Sequence, residues 1–245
     1  MERGDKPYSP AAAASALQWW ADAGVDVLVD EAPRDWLRPP ARMPDAVSAD
    51  PEAAPKTREE TLPDRLDLFQ AWLKDSDTLA FAAPAAPRLC PSGDPAAGLM
   101  VMTDMPAADD CRSGALLAGE AGQLFDRMMA AIERDRNSLY LAALSCFRSP
   151  DGRFTSQAAV QCADLARHHV GLVQPRALLL FGDACSKALL GLPMAQARGR
   201  WHEIATHAGP IRTLVTIPPS YLLDQPSAKA LAWADLQMLA QGLKP

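Results

Sequence analysis

Four short runs of nearly uninterrupted apolar residues punctuate the back of this chain: LMVMT at 99–103, SLYLAALS at 138–145, ALLLF at 177–181 and IRTLVT at 211–216. Apolar runs of this length without polar alternation are strands buried on both faces, the property of a parallel sheet. Between them lie stretches with helical spacing and helix punctuation. These fall at about 120–134, at about 156–172 with Thr155 or Ser156 as cap, at 184–190 opened by Gly182, and at about 227–241 capped by Ser227. Strands that alternate with helices are joined by right-handed crossovers. The expected fold is therefore α/β, a three-layer α/β/α sandwich around a four-stranded parallel sheet.

Ahead of the first strand, residues 61–76 place Leu66, Phe69, Trp72 and Leu73 at helical spacing, an amphipathic helix facing a core. Residues 38–60 are Pro, Ala and acidic with almost no large apolar residue, the composition of an extended linker. Residues 1–37 form a separate signal. Ser9–Pro10 starts a helix through AAAASALQWW that Gly24 ends, and a short apolar run containing Val25 and Leu28 follows. Two roles stand open for this tethered amino-terminal helix. It folds back as core, or it docks a partner through Trp19, Trp20, Val25 and Leu28, because a few aromatic anchors carry most of an interface's energy. The main domain is expected at 61–245.

The net charge of −6 is uneven: residues 1–97 carry 10 Lys+Arg against 17 Asp+Glu, and residues 98–245 carry 14 against 13. Neither part is the basic body of a tight non-specific nucleic-acid binder, so DNA contact is expected to be weak. No apolar run approaches the roughly 20 residues that span a bilayer, and MERGDKPYSP lacks a signal peptide's apolar core. The expectation is a cytoplasmic protein without membrane association. Cysteines 90, 111, 146, 162 and 185 form no CxxC pair, and with four histidines no metal site is expected. There is no GxGxxG, no GxxxxGK[ST] and no GxSxG.

In an α/β sheet, ligands gather beyond the carboxyl ends of the strands. The loop after 99–103 carries Asp104, Asp109 and Asp110 before Gly114, Gly119 and Gly122, and is the candidate site. For Asp104 and Asp110, capping a helix or orienting the loop weighs against catalysis. Cys111 and Cys185 read as small packing residues, and His168 and His169 as solvated. Arg198 and Arg200 are candidate phosphate contacts.

These motifs resemble the uracil-DNA glycosylase superfamily, most nearly its iron–sulfur bacterial and archaeal branch. Thr103-Asp104-Met105-Pro106-Ala107 stands where that family has GE-x-PG, and Asp109-Asp110-Cys111 where it has its acidic cluster. Residues 174–191, QPRALLLFGDACSKALLG, match its P-K-x-hydrophobic-LG block. Arg198-Gly199-Arg200-Trp201 matches RG-x-W, and Pro219-Ser220-Tyr221, Lys229, Trp233, Asp235 and Leu236 match its last block. The resemblance implies a pocket that takes a flipped uracil, stacks it on a Phe and reads it with an Asn, assisted by an acid and a His. Here those three positions are Leu117, Ala143 and Pro218, so with Asp104 and Asp110 the pocket reads as vestigial. Of the cluster ligands, Cys162 matches one position, Phe147 stands at another with Cys146 one place early, and no CxxC precedes the first strand. No iron–sulfur cluster is expected, since such clusters are held by four cysteines. The front peptide is similar to that of the psi subunit of bacterial DNA polymerase III, in its Trp, Gly24-Val25, Leu28 and Pro33. That resemblance implies an interaction subunit of replication or repair, associated with a clamp loader. The alternative is an active glycosylase that uses Asp104 or Asp110 to activate water.

Overall fold

In the computed structural model the described residues are 62–76, 79, 87–149 and 151–244, all within the unit Glu59–Pro245. The expected amino-terminal helix and linker lie outside them. The order is α1 (Leu66–Asp75), β1 (Ser92–Gly93), β2 (Leu99–Thr103), α2 (Ala108–Ser113), α3 (Gly119–Ala130), β3 (Tyr140–Ala143) and α4 (Ser156–Val173). β4 (Ala177–Phe181), α5 (Asp183–Leu190), α6 (Met194–Ala197), β5 (Trp201–Thr206), β6 (Gly209–Thr216), α7 (Pro219–Asp224) and α8 (Lys229–Gly242) complete it.

Among the described residues the sheet has six strands in the order β1-β3-β2-β4-β6-β5. Its centre is the expected set of four parallel strands, with Thr103 opposite Ala143 and Phe181 opposite Thr216. The expectation of a purely parallel, four-stranded sheet is corrected at both edges, where β1 and β5 add antiparallel strands. β5 is WHEIAT, with only Ile204 buried. An edge strand half in water has no continuous apolar run to announce it.

Period-two alternation divides the core. Leu99, Val101, Leu141, Leu179 and Leu214 pack with Phe125, Met129, Leu236 and Leu239 of α3 and α8. Met100, Met102, Ala142, Leu178, Leu180 and Val215 pack with Cys162, Ala166 and Val170 of α4 and Cys185 and Leu189 of α5. Every residue of β2 and β4 is buried, because each faces one helical layer or the other. Each fully buried Leu or Phe contributes about 1.5–3 kcal/mol over its exposed state.

Several boundaries differ from the sequence reading. β3 is shorter than 138–145, because Asp135 caps a 3₁₀ turn at Arg136–Ser138, accepting from the Asn137 and Ser138 amides. α3 stops at Ala130 rather than 134, and Glu133 takes a left-handed backbone conformation. Thr155 caps α4, its hydroxyl accepting from the Ala158 amide at 3.2 Å. Ser227 caps nothing: it lies in the 3₁₀ turn Pro226–Ala228, and α8 starts at Lys229 without a side-chain cap.

The expectation of a solvated His169 is overturned, since it is only 3% exposed. The Gln70 amide donates to the Tyr140 hydroxyl (2.7 Å), which in turn lies 2.9 Å from His169 Nε2. Helical periodicity gave His168 and His169 one polar neighbourhood. Phe69 of α1 packs on both rings, but only His169 is covered completely, while His168 stays half-buried with Nε2 on the Pro63 carbonyl (2.7 Å). Burial, reinforced by His168, pushes the His169 imidazole down to about 3. An unfolded chain takes up this proton near pH 6.5, which the folded chain refuses until about 3. The unfolded state then binds more protons, so stability rises with pH across that window and is lost as the pH is lowered through it. Replacing His169 with Gln is expected to remove a stability slope approaching about 1.4 kcal/mol per pH unit between about pH 6 and 4. Urea titrations of both proteins at stepped pH measure the difference.

Candidate functional site

The carboxyl ends of the four parallel strands bring together what the sequence had scattered. Asp104 follows β2 and Ala143 ends β3; Gly182 follows β4 and Pro218 lies two residues beyond β6. The loops run side by side: the Leu144 amide donates to the Thr103 carbonyl (2.8 Å), Ser145 to Asp104 (3.1 Å) and Gly182 to Thr216 (3.3 Å). The strand order reverses between β2 and β4, so the switch point of the sheet opens between Asp104 and Gly182.

Asp104 closes that point itself. Its Oδ1 accepts from the Cys185 amide at 2.8 Å, in the first turn of α5, where the free amides and the helix dipole favour an anion. Its Oδ2 lies 2.5 Å from where a Cβ on Gly182 would stand, and Gly182 also has φ +94°, so no other residue fits there without strain. Burial holds the Asp104 carboxyl above the ordinary carboxylate range, against the amide bonds of Cys185 and Ala184 that pull it down.

Asp110 is buried and braces the long loop after β2. One oxygen accepts from the Ala107 amide (3.0 Å) and the other from the Ala118 amide (2.7 Å). The two ends of the loop are thereby tied to one carboxylate. Asp109, in contrast, pairs with Arg112 at the surface. Leu117 is buried with φ +52°, an uncommon backbone state for a residue with a side chain. It is held by Arg136, whose Nη1 donates to the Leu116 carbonyl (3.0 Å) and Nη2 to that of Leu117 (2.6 Å). Arg136 is anchored in turn by Asp126 (2.7 Å). Sequence reading passed over Arg136, since nothing in its spacing singles it out.

The two candidate phosphate arginines have different surroundings. Arg198 is 17% exposed and paired with buried Asp235 at 2.9 Å, and Thr216 donates to the same carboxylate oxygen (2.9 Å). A second guanidinium bond goes to the Leu231 carbonyl (2.7 Å), so Arg198 ties its loop to α8. Arg200 is exposed and donates to the Gln196 carbonyl (3.3 Å). Beside the strand ends, a groove of about 900 Å³ is lined by Arg153, Arg167 and Lys187 but equally by Asp104, Asp164 and Asp183. Equal numbers of opposite charges give it little net field for a phosphate chain.

The described residues that the resemblance sets against cluster ligands, Cys146, Phe147 and Cys162, sit among apolar side chains. Cys162 is buried in the α4 core layer, and burial pushes its thiol up to about 12 and that of Cys146 to about 11. The Cys146 thiol faces the Leu73 carbonyl. Phe147 is buried among apolar side chains. Among the described residues, no three His, Cys, Asp or Glu are grouped to hold a metal ion.

If Asp110 is the brace of the loop, Asp110→Asn leaves one backbone amide facing an NH₂ group instead of an acceptor. The expected loss is about 2 kcal/mol of unfolding free energy, read from the midpoint of urea denaturation at neutral pH.

The profile of the Uracil DNA glycosylase superfamily matches residues 90–237, the sheet and all the strand ends described above. The chain is 22% identical over 157 residues to a type-4 uracil-DNA glycosylase of Pyrobaculum aerophilum, covering 61% of this chain and 80% of that protein. It is 19% identical over 156 residues to the type-4 uracil-DNA glycosylase of Archaeoglobus fulgidus, covering 61% and 78%. With more than half its length matched and the sheet order and carboxyl-edge loops in place, this chain belongs to the uracil-DNA glycosylase superfamily.

Proposed function

We propose that this protein is a member of the glycosylase superfamily that has given up uracil excision and acts in DNA replication or repair as a binding subunit. The observation that carries this reading is the state of the strand-end residues. The positions of the stacking ring, the base-reading amide and the imidazole are Leu117, Ala143 and Pro218. None of these side chains can donate or accept a hydrogen bond. Of the two acids that remain, Asp110 spends both oxygens on backbone amides of the fold and Asp104 spends its Oδ1 on the Cys185 amide. On this reading residues 1–37 supply the docking element, with Trp19, Trp20, Val25 and Leu28 as anchors, and a psi-like place beside the clamp loader is its specific form. Phosphate contact falls to exposed Arg200 more than to Arg198, which is committed to Asp235.

Family membership and the raised Asp104 carboxyl favour a second reading, an active glycosylase in which Asp104 activates water. Removing one principal electrostatic group costs about 10²–10³ in rate, and three pocket positions differ here. Excision of uracil from single-stranded and mismatched DNA is therefore expected to fall more than about 10³-fold below a family enzyme run alongside. Release at a comparable rate, lost in Asp104→Asn, would establish the second reading instead. For docking, immobilised full-length protein is expected to retain clamp-loader subunits, and Trp19→Ala/Trp20→Ala to release them. Equal retention by both proteins removes the role assigned to the two tryptophans.

A further inference from the structure

The residues at the two positions where the resemblance places cluster ligands, Phe147 and Cys162, line one small cavity between α1, α4 and the end of β3. Cys146 lines it too, and its other walls include Phe69, Leu73, Leu79, Leu165 and His169. The space left among them is about 20 Å³, room for one water and no more. Phe69, Leu73, Leu79, Phe147 and Leu165 form an apolar cluster of their own, apart from the two cores on the sheet faces. Phe69 and Phe147 are almost wholly buried in it, at 1% and 2% exposure.

We propose that this apolar plug, centred on Phe147, has taken over the fastening that a metal cluster would supply at the same place. The plug joins three parts of the chain. It fixes α1 through Phe69 and Leu73, and the Cys146 thiol and the Arg88 guanidinium reach the Leu73 carbonyl at the end of that helix. It fixes α4 through Leu165. It also fixes the loop after β3, which carries Arg148 to the Pro106 carbonyl (3.3 Å) at the candidate site and pairs the Cys146 carbonyl with the Leu89 amide (2.7 Å). The physical exchange is direct. Four thiolates around a metal cluster give directional bonds that need a supply of iron. A buried phenyl ring gives non-directional burial that any reducing or oxidising condition leaves intact. Phe147 stands at the chain position that the resemblance gives to a ligand, with Cys146 beside it, and its apolar neighbours close around it.

Full-length protein expressed with added iron and purified without oxygen provides the test. It is expected to be colourless, to carry no stoichiometric iron or sulfide, and to keep its melting temperature after treatment with an iron chelator. In Phe147→Ala, amide exchange of residues 66–75 is expected to accelerate by about a hundredfold, the factor a large-to-small core change predicts, with a smaller acceleration in the volume-sparing Phe147→Leu. In a cycle with Phe69→Ala, the two truncations are expected to cost less together than the sum of each alone, as for residues sharing one cavity. A chromophoric iron–sulfur protein whose melting temperature drops on chelation overturns the proposal. So does exchange in 66–75 that Phe147→Leu and Phe147→Ala both leave at the wild-type rate. Phe147→Leu keeps the test informative if Phe147→Ala fails to fold.

Discussion

A parallel sheet has no face it can leave in water, and most of this domain follows from meeting that demand. Once β2 and β4 are buried on every residue, helices must cover both sides, and each must return across the sheet with right-handed geometry. The carboxyl ends of the strands then lie on one edge, and the strand order reverses between β2 and β4. The crevice at that reversal is a product of topology before any residue in it has a chemical role. In this chain it is closed by Asp104, whose carboxylate sits on the first turn of α5.

The same economy governs the other buried polar groups. Asp110 joins the two ends of a loop, Asp235 gathers Arg198 and Thr216, and His169 meets Tyr140 and Gln70. Among the described residues, no buried side-chain nitrogen or oxygen is without a partner. A buried ion pair such as Arg198–Asp235 gains little net stability over apolar packing, but losing one partner strands the other. Such groups persist as architecture once present. Acids that look catalytic in sequence can therefore be retained for structural reasons while the rest of a pocket changes.

The central strands were readable because a doubly buried strand writes a continuous apolar run, and Gly182 was readable because a sharp strand-to-helix turn needs its backbone freedom. The hairpin strand β5 was not, since at an edge only Ile204 of its residues is fully buried and no apolar run marks it. The candidate site was legible as a set of positions, through the resemblance that put Leu117, Ala143 and Pro218 beside Asp104 and Asp110. What each acid binds was not legible. Asp110 reaches an amide eight residues on, and Asp104 one eighty-one residues on, distances over which spacing carries no information. His168 and His169 show the same limit, being adjacent in sequence while one meets Tyr140 of the sheet and the other the Pro63 carbonyl.

By itself the sequence determined the layer order, the parallel centre of the sheet and the edge on which a site would lie. These are properties of local pattern and residue type, which chain neighbours decide. Only the tertiary structure decided that Asp104 caps α5, that Arg198 serves Asp235, that His169 is dry and that Phe147 and Cys162 face one filled cavity. Each of those depends on a partner brought in from a distant segment, and packing between segments, not the pattern within one, chooses that partner.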